Sequence, residues 1–153
     1  MNTSDYRATL LVDKTPEEVI NAINNIRGWW SEEMEGSAEK SNDVFTVRFG
    51  EVYITMKIVE LIPGQKIVWQ VIDCNKPWLK NKKEWNGTKI SFEVSKKDDK
   101  TQIRFAHLGL VPEVECFEVC SNAWTDYLQG SLFKLVTTGK GKPTPMKKTA
   151  NAK

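Results

Sequence analysis

The stretch from Trp85 to Pro143 restricts the fold more than any other part of the chain. Thr88 to Ser95 is a run rich in Ile and Phe, followed by a polar turn at Lys96 to Lys100 and a second apolar run from Thr101 to Leu108. Two strand-like runs joined by a short polar turn form an antiparallel pair. Beyond them, Pro112 stands at the predicted start of a long helix. Its apolar positions run Phe117, Cys120, Trp124, Leu128, Leu132 and Leu135, a stripe of helical period. A long terminal helix must bury that stripe against the strands before it.

The rest of the chain extends the pattern. Tyr6 to Val12 alternates as an opening strand. Thr15-Pro16-Glu17-Glu18 is a helix start: Thr15 as N-cap, Pro16 at the first helical position, and Glu18 where a capping box needs it. Val19, Ile20, Ile23 and Ile26 make one stripe, so a helix is predicted to about Arg27, with a break at Gly28. Ser31-Glu32-Glu33 suggests a short helical turn. Val44–Phe49, Val52–Leu61 and Lys66–Asp73 read as three further strands joined by short turns, which implies an antiparallel meander. The expected class is α+β: a curved six-stranded antiparallel sheet wrapped around the C-terminal helix, with one N-terminal helix and a short helical turn.

At 153 residues the chain is long enough for one domain with its own core. Residues 1–143 are expected to form it, and 144–153 a flexible basic tail, since five lysines follow Gly139. A net charge of +2 gives no reason to expect a nucleic-acid partner. No apolar run approaches a membrane span, and the N-terminus lacks the pattern of a secretory signal. A cytoplasmic location follows, with Cys74, Cys116 and Cys120 read as reduced, buried thiols. The sequons at Asn2 and Asn86 are then without consequence, and Asn86-Gly87 reads as turn chemistry.

Order and spacing of several short motifs resemble the helix-grip superfamily, also called SRPBCC or START-like. The residues that carry this are Thr15-Pro16-Glu17-Glu18-Val19 with Trp29-Trp30, Glu51-Val52-Tyr53, and Pro63-Gly64 before Ile67-Val68-Trp69. Trp85-Asn86-Gly87-Thr88, His107-Leu108-Gly109-Leu110, Trp124-Thr125-Asp126-Tyr127-Leu128, Ser131-Leu132 and Gly139 complete the set. Within the superfamily the chain looks most like homologues of the C-terminal domain of the activator of heat-shock protein 90 ATPase, over residues 6–143. The resemblance implies a cavity for a small hydrophobic molecule. The full activator has a separate N-terminal domain that contacts the chaperone, for which this chain has no room. A protein partner such as a chaperone, docking on an exposed patch around Trp78, is the second expectation, and a monomer or homodimer suits either.

Candidate lining residues are Trp29, Trp30, Trp69, Phe105, His107, Phe117, Trp124 and Leu128. Trp69 shares strand parity with Ile67 and Val71, and Trp124 lies on the helix stripe. The same aromatics would serve equally to fill a solid core. His107, the only histidine, shares parity with Ile103 and Phe105. It is either a polar contact for a ligand, titrating near neutral pH, or a structural group bonded to a backbone carbonyl. Cys116 and Cys120 lie on one helix face, and Glu113, Glu115 and Glu118 suit the start of that helix. Lys76, Lys80, Lys82 and Lys83 around Trp78 read as a solvated basic loop. No phosphate loop, nucleophile triad or metal-ligand spacing is present, so no cofactor, metal or catalytic residue is expected. A cyclase or aromatase activity would have to draw on Tyr53, His107 or Tyr127.

Overall fold

The computed structural model describes residues 5–145. One seven-stranded antiparallel sheet carries the chain, in the order β1-β7-β6-β5-β4-β3-β2. The strands are β1 (Tyr6–Val12), β2 (Met34–Gly36), β3 (Val44–Phe49), β4 (Val52–Ile62), β5 (Lys66–Asn75), β6 (Lys89–Lys97) and β7 (Lys100–Leu108). Helices α1 (Pro16–Asn24) and α2 (Ile26–Trp29) follow β1. The terminal helix runs from Phe117 to Thr138 as α3 (Phe117–Tyr127), one wide π-turn (Leu128–Leu132) and α4 (Phe133–Thr138).

The capping box forms as its residues predict. Glu18 N–H donates to Thr15 Oγ1 at 3.1 Å, and Thr15 N–H donates to Glu18 Oε1 at 2.9 Å. Thr15, through its backbone N–H first and its hydroxyl second, holds the Glu18 carboxyl below its ordinary range. Val19, Ile20 and Ile23 are buried as the stripe requires. The helix breaks earlier than predicted, at Asn25, and Gly28 lies inside the short α2 that follows.

The sheet has seven strands rather than six. Where a helical turn was expected, Ser31 bridges to Thr144, and Met34–Gly36 pairs with Phe45–Val47. Three residues are too few to show a strand period, so the edge strand left no pattern to read. Its close approach is set by Gly36 at φ +91°, where a side chain would run into the Val44 carbonyl.

The terminal helix starts at Phe117, not at Pro112. Residues 111–117 make single turns, and the helix end is capped from elsewhere. Glu84 accepts Glu115 N–H at 3.1 Å and Cys116 N–H at 3.0 Å. A carboxylate there also suits the positive end of the helix dipole. Gly139, at φ +87°, ends the helix in the left-handed conformation. Of the expected tail, Thr144 is tied down: it exchanges backbone bonds with Trp30 and Glu32. Residues 146–153, like Asn2, lie outside the described residues.

Candidate functional site

The space between sheet and terminal helix is packed with aromatic rings. Trp30 stacks on Trp69 with centroids 5.9 Å apart, Trp69 meets Phe92 at 5.1 Å, and Phe92 meets Phe105 at 5.1 Å. Phe105 meets Trp124 at 4.6 Å, and Trp124 returns to Trp30 at 5.0 Å. The five rings close a circuit through α2's end, three strands and α3, and Trp29 stacks beneath Trp30. Offset and edge contacts of this kind each add a little beyond area burial. Trp29, Trp69, Phe105, His107 and Leu128 lie inside this solid core, and Phe117 is half-buried against it. Trp69 Nε1 is buried there without an acceptor.

Beside the circuit opens a groove of about 320 Å³. Trp30 and Trp124 form its floor. Phe49, Val52 and Ile54 of β3 and β4 make one wall, and Val119, Ala123 and Tyr127 of α3 the other. Trp85, Trp78 and Lys76, from the loop between β5 and β6, close the end. Its size is at the lower end for a small-molecule site, and its lining is mostly apolar with one charge, the usual composition of such sites. Among the candidate lining residues, the structure brings only Trp30 and Trp124 to it. A larger hollow of about 710 Å³ lies on the outer face of the sheet. Several charged groups there pair with one another, Lys66 with Glu60 and Glu93, and Arg104 with Glu93.

Lys76 is the unusual group. It is only 5% exposed, unlike Lys80, Lys82 and Lys83 on the same loop. A bulge puts it there. Met56 pairs with Val71 and Thr55 with Asp73, so Ile72 is skipped and the inward parity of Trp69 and Val71 passes to Cys74. Lys76, two residues on, follows Cys74 inward. Its Nζ lies 3.9 Å from the Trp85 ring centroid and 5.0 Å from that of Trp78. Among the described residues the Lys76 amine has no hydrogen-bond or ion-pair partner, although its backbone bonds Lys82 and Leu79. Burial pulls its pKa down to about 8, although Cys74 and Glu84 act the other way. A ring face is worth roughly 0.5–2 kcal/mol to an ammonium, whereas desolvating one costs several kcal/mol. The aromatic contacts alone leave Lys76 undercompensated.

His107 is held in the core rather than in the groove. Its partners are the Trp124 indole N–H at 3.0 Å and the Thr88 hydroxyl at 2.9 Å, not a backbone carbonyl. Burial, followed by the nearby Lys76 charge, drives its pKa down to about 3, so it is neutral near pH 7. Tyr53 is engaged elsewhere: it donates to Asp73 at 3.0 Å and accepts from Lys83 at 3.2 Å. Tyr127 lines the groove with its hydroxyl on Thr144, and burial raises its pKa.

Cys116 and Cys120 also differ from expectation. Their sulfurs are joined as a disulfide, with Cα atoms 5.4 Å apart, inside the usual span. The pair is not two reduced thiols. Only Cys74 is free, and burial raises its pKa.

No protein-family model matches the chain, and neither does any curated protein. Solved structures do. Aha1 from Colwellia psychrerythraea, solved as a dimer, superposes with a TM-score of 0.76 at 24% identity, covering 91% of this chain and 100% of that one. This chain has the helix-grip fold. A protein from Staphylococcus saprophyticus superposes at 0.67 with 16% identity, covering 92% of this chain and 98% of its own. CalU16 from Micromonospora echinospora gives 0.65 at 14% identity, covering 89% and 75%. In this helix-grip chain the grip is closed by tryptophan where the sheet faces the helix, and the open space is displaced toward β3, β4 and the β5–β6 loop.

Proposed function

We propose that this protein binds a small, mainly apolar molecule in the groove floored by Trp30 and Trp124. One observation carries the reading: a concave apolar surface in which Lys76 is buried without a polar partner. Burying a ligand there would be driven by apolar area at ~25 cal/mol per Å². The mostly apolar lining with a single charge favours binding as the groove's function. Native mass spectrometry of the purified protein, set beside its denatured mass, tests this. The expected result is an adduct that disappears on denaturation. A bare chain that also ignores neutral apolar dyes, with Ala123→Trp indistinguishable from the parent, sinks the reading.

A protein partner is the second reading. Trp78 is 50% exposed and Val119 58%, and both stand on the rim of the groove. Large apolar side chains exposed together mark docking surfaces. The Colwellia relative is a dimer, which makes a second copy the first partner to test and a chaperone the next; a stress-response role would follow only from the latter. Size-exclusion chromatography with light scattering, parent against Trp78→Ser, decides whether the rim joins two copies. No helix among the described residues is long and apolar enough to cross a membrane. A cytoplasmic location stays part of the proposal, and the Cys116–Cys120 disulfide weighs against it.

A further inference from the structure

We infer that the molecule held in the groove is an organic acid: an apolar body against Trp30, Trp124 and Tyr127, with its anionic head against Lys76. The inference rests on the binding role proposed above and adds the ligand's charge.

Lys76 lacks the polar partners that a buried amine needs. A buried ammonium ordinarily has a carboxylate or several hydrogen-bond acceptors around it. Lys76 has two indole faces. The nearest candidate counter-ion, Glu84, spends both carboxylate oxygens on the backbone N–H groups of Glu115 and Cys116. Asp73, close by in sequence, is taken by Lys83 at 2.9 Å and by Tyr53. Both of these acids are already hydrogen-bonded to other groups, and the one amine facing the groove is not. A carboxylate or sulfonate entering the groove would complete the ion pair against largely apolar walls, where charge-assisted bonds are stronger than in bulk water. A cationic ligand is disfavoured for the same reason, since it would meet the ammonium with no acid free to offset it. The groove's other lining groups are apolar apart from the Tyr127 and Thr144 hydroxyls.

Two dyes that share an apolar body separate charge from burial: anilinonaphthalene sulfonate, an anion, and phenylnaphthylamine, which is neutral. Fluorescence titration of the full chain at pH 7 gives both Kd values. The parent should hold the anion at least about tenfold tighter than the neutral dye. Lys76→Met should abolish that preference and leave the neutral dye bound as well or better. Lys80→Met, which removes an exposed charge from the same loop, should leave the preference intact. Should Lys76→Met not fold, Lys76→Gln serves in its place. Equal affinity for both dyes in the parent overturns the inference while the apolar site stands. So does a preference that survives in the Lys76 variant or is lost equally in Lys80→Met. Failure of both dyes to bind overturns the site itself, and the inference with it.

Discussion

The indole N–H of Trp124 donates to His107 Nδ1 at 3.0 Å inside the core. An indole nitrogen only donates, so Nδ1 carries no proton and His107 is the Nε2–H tautomer. That proton goes to Thr88 Oγ1 at 2.9 Å, and the Thr88 hydroxyl donates in turn to the Trp85 carbonyl at 2.6 Å. One chain of bonds thus joins α3, β7 and the end of the β5–β6 loop. It also fixes the two tryptophans between which the groove closes: the Trp85 and Trp124 rings lie parallel, 8° apart in plane.

That chain makes the fold acid-sensitive. The folded pKa of His107 is depressed to about 3 from an ordinary value of 6.5. Between those values the unfolded chain binds more protons than the folded one. Its stabilising effect is therefore complete above pH 6.5 and lost as pH falls toward 3, by up to roughly 5 kcal/mol. Urea unfolding at pH 7 and pH 4 should give a steeper loss for the parent than for His107→Gln. Carboxylates lose stability over part of the same range, but equally in both proteins, so the difference isolates His107. Identical slopes for the two would count against a neutral buried imidazole.

Lys76 should show a dependence of the same sign in a higher pH window. Its folded pKa of about 8 lies below the ordinary 10.5, so the unfolded chain again holds more protons between those values. Stability then rises with pH across that window, because the strain of a buried charge is relieved as the amine deprotonates. His107, Cys74 and Glu84 are the titratable groups around it. Lys76→Met should therefore stabilise the ligand-free protein by about 2–3 kcal/mol at pH 7, and the gain should shrink as pH approaches 10.5. A destabilised Lys76→Met at neutral pH would mean that the indole faces satisfy the ammonium after all.

Why one half of this picture could be read from the chain and the other half not is a matter of range. Thr15 and Glu18 cap α1 through bonds three residues apart, so the motif contains its own geometry. Alternation along β7 placed Phe105 and His107 inward without further help. The groove escapes such reading because a skipped residue made it. One bulge at Ile72 reverses the faces of β5, and Lys76 moves from the solvated loop it resembles to the interior. Parity offered one usable signal: Cys74, Lys76 and Trp78 alternate, and a cysteine is seldom on the wet face. Glu84 capping α3 across 31 residues of chain had none. Nor could the aromatic stripe say whether its rings enclose space or fill it, since both need the same residues at the same period.

The cysteine pair gives a prediction of its own. Alkylation of the unfolded, unreduced chain should modify Cys74 alone, and reductant should expose Cys116 and Cys120 as well. The loop they close is short, so the double change to serine should cost only about 2 kcal/mol. Three reactive thiols before reduction would show that the bond is absent in solution and restore the reading of two buried thiols.

Gly109 tests whether the His107 chain is tuned by its surroundings. It sits just after β7 at φ +108°, outside the region side chains readily adopt, and its N–H donates to Asp5 Oδ1 at 2.8 Å. A Cβ there would lie 2.6 Å from Thr88 Cγ2, so Thr88 must shift, and with it the acceptor for His107 Nε2–H. Gly87 is the control: its φ is +86°, but nothing lies within 4 Å of where a Cβ would stand. Gly87→Ala should carry backbone strain alone, about 1 kcal/mol. Gly109→Ala should cost about 2–3 kcal/mol, lowering Tm by roughly 5–10 °C. It should also alter the acid sensitivity assigned to His107, because the imidazole loses its best partner. Equal losses at the two glycines, with the acid slope untouched, would reduce Gly109 to a turn residue and detach it from the bonded chain.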